Sequence, residues 1–256
     1  MPAISNLNDL VVLLVRPRNP LNIGAAARAM SNFGAPTLRL VNPYAVAFRD
    51  AVSAVGAHDL LKSAAEFATV AEAVADCALV VGTTAVRNRA LQHPLRQLDQ
   101  GTGKIIRKQL QTGRVAILFG SENIGLTNED FSHCHWLLRI RTEAKQISMN
   151  LAQAVAVCLY ELAGSAASKA EMKPQSKLRS KSRKEGIAPA TAGDNEQITT
   201  ALLEALHKSG YVKPGTDIVT EKKVRSLILR LELDGMDAKV LLGMLRQILW
   251  KVRRES

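Results

Sequence analysis

Three segments of this chain carry small and polar residues at spacings that could do chemistry. RPRNPLNIGAAARAM places Asn22, Gly24 and Arg28 just after an apolar run. Asn22 can cap a helix, Gly24 permits close backbone approach, and Arg28 lies one turn beyond Gly24 on the same face. ILFGSENIGLTNED gathers Gly120, Glu122 and Gly125 in one loop, then sets Thr127 and Asp130 at the three-residue spacing of a capping box. IRTEAKQISMNLAQAV puts Ser148 and Asn150 at the start of a helical pattern. Each segment follows a strand candidate, and open α/β sheets hold their ligands beyond the carboxyl ends of the strands. Taken singly, each also reads as ordinary helix capping. Capping leaves unexplained why two glycines and a carboxylate share the second loop.

Other chemistries fit less well. His133-Cys134-His135 could ligate a metal, but two of the three share one strand face and no fourth ligand is evident. No metal is therefore expected. His58, His93 and His207 have no partner visible in sequence. No GxGxxG follows a strand and no GxxxxGK[ST] occurs, which excludes a dinucleotide fingerprint and a P-loop. Arg87, Arg89 and Arg96, beside Thr83 and Thr84, could meet RNA phosphate or could simply line a solvated loop.

The elements that must position these residues form an alternating pattern. LVVLLV (10–15), TLRLV (37–41), CALVVG (77–82), RVAILFG (114–120) and HWLLRI (135–140) read as buried strands. Between them, residues 22–34, 69–77, 103–112 and 150–164 show apolar spacing of three to four, which predicts helices, with Gly34 and Gly164 at the C-terminal stops. With aromatics at only 4%, the alternation predicts an α/β fold, a parallel sheet flanked by helices.

From Ser165 the composition turns to Ser, Lys, Ala and Pro, too poor in large apolar residues to offset its own ordering entropy. The expected organisation is a domain over 1–164, a basic linker over 165–195 and a helical extension over 196–256. Residues 196–212 and 221–254 of the extension have amphipathic spacing, and a unit that small should dock on something. The 256 residues hold 34 Lys+Arg against 23 Asp+Glu, a net charge of +11, which points to a polyanionic partner such as nucleic acid. The chain has no long apolar span, and MPAISNLNDL lacks the features of a signal peptide. Three cysteines without a CxxC pair suit a reducing compartment, so a cytoplasmic protein is expected.

Taken together and in order, the three segments resemble the signature motifs of the SPOUT superfamily of S-adenosylmethionine-dependent RNA methyltransferases, in its 2′-O-ribose branch. The resemblance covers residues 10–163. It rests on Asn22-x-Gly24-x-x-x-Arg28, on Phe119-Gly120-x-Glu122-x-x-Gly125-Leu126-Thr127, and on Ile140 followed by Ser148-Met149-Asn150-Leu151. Arg141 and Met149 stand where the family usually has proline and leucine. The C-terminal helical extension, and the lack of an added N-terminal RNA-binding domain, are most similar to the branch that methylates cytidine or uridine in the tRNA anticodon loop.

The resemblance implies a knotted SPOUT fold, with residues 118–163 tucked through a preceding loop. It implies S-adenosylmethionine among Thr83, Thr84, Ala85, Gly120, Ser121, Ile140, Ile147, Ser148 and Met149. It marks Arg28 as the residue that activates the ribose hydroxyl, with Asn22, Glu122, Ser148 and Asn150 around it. A homodimer is implied, with the helix NLAQAVAVCLYEL supplying the interface. For tRNA, the candidate contacts are Arg87, Arg89, Lys222, Lys223, Arg225 and Arg230. A ribosomal-RNA methyltransferase and a silent RNA-binding protein on the same scaffold are the alternatives.

Overall fold

The computed structural model describes residues 6–43, 56–85, 93–143, 147–164 and 188–255. Seven strands form one sheet: β1 (Leu10–Val15), β2 (Thr37–Val41), β3 (Ala65–Phe67), β4 (Cys77–Thr83), β5 (Leu95–Gln97), β6 (Arg114–Phe119) and β7 (Trp136–Arg139). The order is β3-β2-β1-β6-β4-β7-β5, and every pairing is parallel. β1 is buried along its whole length, which is why it reads as a continuous Val/Leu run and not as an alternating one.

Helices cover both faces. On one, α1 (Pro20–Phe33), α4 (Gln100–Leu110) and α6 (Leu151–Ala163) close a core that includes Leu10, Leu14, Met30, Ile106, Ile117 and Leu159. On the other, α3 (Val70–Val74) and α5 (Asn128–Ser132) bury Val11, Leu13, Val74, Val80, Leu118 and Phe131. α2 (His58–Lys62) is a single turn near one edge of the sheet.

Five strands lie where the apolar runs predict them. The two edge strands β3 and β5 escape sequence reading because each has three residues and is mostly exposed. His135 and Ile140, the two ends of the predicted strand, fall outside the observed β7; the His135 Nδ1 accepts a hydrogen bond from the Val80 N–H at 3.1 Å. The cap of α1 is Asn19, not Asn22: the Asn19 side chain accepts from the Leu21 N–H, and Pro20 takes the first-turn position where a missing N–H costs nothing. Gly34 ends α1 in the left-handed region (φ 68°), whereas Gly164 closes α6 with extended backbone.

At the C-terminus, α7 (Ala192–Lys208), α8 (Asp217–Arg230) and α9 (Gly235–Glu255) enclose their own core of Ile198, Val224, Ile228, Ala238 and Leu245. Order begins earlier than the linker reading to 195 expects, because Thr191 and Asp194 form a reciprocal capping box. The stretch 221–254 is two helices, broken where Glu232 takes φ 48°. This unit docks on the sheet domain: the Gly193 N–H donates to the Ala75 carbonyl, and α8 meets α5. Residues 86–92, with the candidate RNA contacts Arg87 and Arg89, and 165–187, most of the expected linker, lie outside the described residues. No described helix is long and apolar enough to cross a membrane.

Candidate active site

The carboxyl ends of β4, β6 and β7 open into a cavity of about 280 Å³. Thr83, Thr84 and Ala85 line it from the end of β4, Gly120 and Ser121 from β6, and Ile140, Ile147, Ser148 and Met149 from the segment after β7. Every residue that the resemblance assigns to the cofactor is therefore on one wall or another of a single pocket. Leu126, Leu138, Thr142 and Ala154 also line it, although the resemblance does not assign them to the cofactor. Leu126 stands in the second motif, Leu138 carries only a generic core signal, and Thr142 lies in a stretch without periodicity.

Gly120 matters for a reason other than ligand approach. A Cβ there would sit 2.0 Å from the Gly125 carbonyl carbon and 2.2 Å from the Leu126 nitrogen. The loop folds back on itself, with the Gly125 N–H donating to the Ser121 carbonyl at 2.8 Å and Gly125 at φ 71°. Two glycines in one loop thus follow from one tight backbone crossing.

Beside the pocket, three motif residues join in a relay. Asn22 Nδ2 donates to Glu122 Oε1 at 2.8 Å, and Asn150 Nδ2 donates to Asn22 Oδ1 at 2.9 Å. Asn150 Oδ1 caps α6 by accepting from the N–H groups of Ala152 and Gln153. Glu122 also accepts from the N–H groups of Arg18 (3.1 Å) and Asn19 (3.3 Å). Partial burial by itself would raise the Glu122 pKa, but the Asn22 amide and these backbone donors outweigh it and hold the carboxylate below its ordinary value.

A second tie runs parallel to the first. Arg16, in the left-handed region at φ 50°, pairs with both oxygens of the buried Asp130, which also accepts from the N–H and hydroxyl of Thr127. Glu122 and Asp130 therefore grip the loop 16–19 from either end of the pocket loop. Sequence reading missed Arg16; its only signal is a cation one residue past a buried strand.

Ser148 lines the pocket and is exposed. Arg28 stands apart: it is exposed on α1, and no contact among the described residues joins it to Asn22, Glu122 or Asn150. Six helical positions separate it from Asn22, which turns it about 120° away around the helix.

The candidate RNA contacts divide. Arg225 is buried (5% exposed) and is no surface cation: it is hydrogen-bonded to Glu196 (2.9 Å), Glu221 (2.6 Å) and Ser132 Oγ (3.1 Å). Burial would raise the Glu196 pKa, but Arg225 reverses this and holds the carboxylate below its ordinary range. Lys222 is committed to Glu129 at 3.0 Å. Both are corrections: these side chains fasten α8 to α5. His133, packed among them, has its imidazole held below its usual pKa first by desolvation and then by the charge of Arg225. Lys223 and Arg230 are exposed, while Arg87 and Arg89 lie outside the described residues. Among the described residues no cluster of three metal-capable side chains occurs.

α6 buries Leu151, Val155, Cys158, Leu159 and Leu162 within its own chain, mainly against α1, with α4 and the sheet completing the contact. What it leaves exposed is Val157 and Tyr160, the latter edge-to-face with Phe33 at 6.3 Å. The apolar circumference predicted to be shared with a partner is thus mostly consumed at home.

Residues 9–160 match the model of the SpoU rRNA methylase family. The tRNA (cytidine/uridine-2′-O-)-methyltransferase TrmJ of Klebsiella pneumoniae is 32% identical over 243 residues, 94% of this chain and 97% of its own. An uncharacterized tRNA/rRNA methyltransferase of Haemophilus influenzae is 39% identical over 61% of this chain and 63% of its own. The crystal structure of TrmJ from Z. mobilis ZM4 superposes with a TM-score of 0.78 at 33% identity, covering 93% of this chain and 98% of that one. With two motifs lining one pocket, the first bonded to them through Asn22, and the likeness running through the C-terminal helices, the chain belongs to the SpoU rRNA methylase family.

Proposed function

We propose that this protein transfers a methyl group from S-adenosylmethionine to a ribose 2′-hydroxyl of tRNA, at a cytidine or uridine at the start of the anticodon loop. The observation that carries this reading is one cavity lined by residues of the second and third motifs, with the Asn150–Asn22–Glu122 relay tying the first motif to its edge. Similarity to TrmJ over 94% of the chain, extension included, favours tRNA over ribosomal RNA.

The residues present suit the cofactor. The cavity is at small-molecule scale, with Leu126, Leu138, Ile140 and Ile147 as apolar walls for a base and Thr83, Thr84 and Ser121 as polar neighbours. When bound, the sulfonium supplies an already activated methyl group. The protein's share is orientation and charge. Arg28, a planar and permanently protonated fork, holds the adjacent phosphate and stabilises the alkoxide that develops on the ribose. Ser148, at the pocket wall, or water takes the hydroxyl proton onward. Asn22 and Asn150 keep the two motif loops in register, and Glu122 is a positioning residue whose acceptor capacity is already taken up.

Arg28 turns away from its own relay, which favours a homodimer in which it serves the partner's pocket, with Tyr160 and Val157 of α6 at the seam. Residues 1–164 form the catalytic unit, the chain beyond it tethers and docks the helices, and Lys223, Arg230, Arg87 and Arg89 meet phosphate. The buried, unpaired Cys77, Cys134 and Cys158 suit the reducing cytoplasm.

Mapping ribose methylation in tRNA and rRNA by mass spectrometry, with and without the protein, tests the reading. A 2′-O-methyl group at the start of the tRNA anticodon loop is the expected gain. A gain confined to ribosomal RNA, or none at all, overturns it.

A further inference from the structure

α9 is apolar on two sides. One side, with Ala238, Leu245 and Leu249, is buried within the C-terminal unit, where α9 packs on α7. On the other side Met236, Val240, Met244 and Ile248 follow one another at four-residue steps, and each is more than half exposed. A four-residue step turns the helix by only about 40°, so these four form one slowly winding stripe about 18 Å long. A stripe of this kind on a packed helix marks an interaction surface.

The charges on the stripe indicate what covers it. Asp237 and Lys251 lie within its angular range, and each is seven residues from Met244, on opposite sides. Of the remaining cations of the helix, Lys239, Arg246 and Arg253 fall on a different flank, where Arg246 bonds Gln197 and Arg253 pairs with Glu204, while Arg254, in the last turn beyond the stripe, stacks on the Trp250 ring. Over its length the stripe thus carries one charge of each sign, which disfavours a phosphate backbone as its occupant. Its sequence is also symmetric about Met244. When two copies meet antiparallel, Val240 falls opposite the partner's Ile248, Met244 opposite the partner's Met244, and Asp237 opposite the partner's Lys251. A parallel meeting would place like charges together at both ends. Antiparallel helix dipoles add to the preference.

We infer that the exposed face of α9 is a self-association surface, on which a second copy of this chain seats its own α9 antiparallel about a two-fold axis through Met244. The contact is isologous and lies on the extension, so it operates in addition to any pairing of the sheet domains.

Disulfide trapping in the full-length chain tests this, with a low background because Cys77, Cys134 and Cys158 are all buried. Under mild copper–phenanthroline oxidation, Met244→Cys, on the axis, is expected to cross-link at least tenfold faster than Lys239→Cys, off the stripe. Equal rates overturn the inference. Asp237→Lys in the Met244→Cys background is expected to slow cross-linking at least threefold, and adding Lys251→Glu to restore it. Rates unmoved by either charge change overturn the antiparallel register. Excess tRNA should leave the Met244→Cys rate unchanged; suppression by tRNA assigns the stripe to nucleic acid and overturns the self-association. All of these positions are exposed, and circular dichroism checks that each variant folds.

Discussion

Asn150 donates its side-chain amide to the Asn22 carbonyl oxygen at 2.9 Å, across 128 residues of chain. The same Asn22 passes its own N–H to Glu122, so the first turn of α1, the pocket loop and the cap of α6 share one chain of hydrogen bonds. Asn22→Asp would set a second carboxylate against Glu122. Breaking a bond to a charged group costs about 2 kcal/mol, or roughly thirtyfold. The single-turnover methylation rate should fall by at least that factor, and an unchanged rate would remove the relay from the mechanism.

Glu122 gives the site an acid limit. Its folded pKa lies below the unfolded carboxylate value of about 4.3, so its stabilisation is complete above that pH and fades as pH falls through the folded value. Cofactor affinity, followed by calorimetry from pH 7 downward, should weaken in the acid range. Glu122→Gln should bind more weakly at neutral pH and show a flatter acid limb; parallel profiles would contradict the assignment.

Gly120→Ala should not yield a folded protein that merely binds cofactor less well. Its Cβ would overlap the Gly125 and Leu126 backbone, an overpacking that costs on the order of 1–3 kcal/mol or more. A lowered melting temperature together with lost cofactor binding is the expected pair of results. A variant as stable as the parent would show that the loop can yield.

Arg225 and its neighbour Lys223 should part company when mutated. Arg225→Ala leaves Glu196 and Glu221 without their cation; both carboxylates keep contact with solvent, so the loss stays below the roughly 3–5 kcal/mol of a fully buried pair. The loss should be read in thermal unfolding. Lys223→Ala, by contrast, should leave stability alone and reduce the salt dependence of tRNA affinity by about one unit of slope. The reverse pattern would return Arg225 to the RNA surface.

Arg28→Ala should abolish turnover while cofactor affinity holds, with Arg28→Lys keeping a measurable fraction because the charge survives and only the planar fork is lost. Mixing Arg28→Ala chains with chains disabled in the pocket should restore activity in the hybrid dimers, each contributing one intact half. No recovery in verified hybrids would confine Arg28 to its own subunit's pocket.

The sheet was legible because β1, β2, β4, β6 and β7 are largely buried on both faces and so are written as short apolar runs, interrupted within a strand only by Arg39 of β2 and Gly82 near the end of β4. The pocket was legible because the glycine, serine and asparagine positions follow those runs directly. Strand order was not, since nothing in RVAILF says that it inserts between β1 and β4. Nor does sequence distinguish Arg225, buried among carboxylates, from Lys223, two residues away in solvent. Both are cations on one amphipathic helix, and only the docking of α8 on α5 separates them. The crossing that requires Gly120 likewise needs the fold-back of residues 121–125, and the spacing suggested instead a ligand.

β1 and β4 never touch; β6 lies between them and bonds to both. A ribosome that has synthesised the first hundred residues has therefore released β1, β2 and β3 as one patch and β4 as a strand with its partner still unmade. The two parts share no ladder until residues 114–119 emerge and fill the gap, and β7 can join only after that. Folding of this domain is governed by the arrival of a late central strand, with large sequence separations to close, so it should proceed slowly and after much of the chain has left the ribosome. Until then the apolar edges of β1 and β4 stand open, which makes the nascent chain a natural client for chaperones.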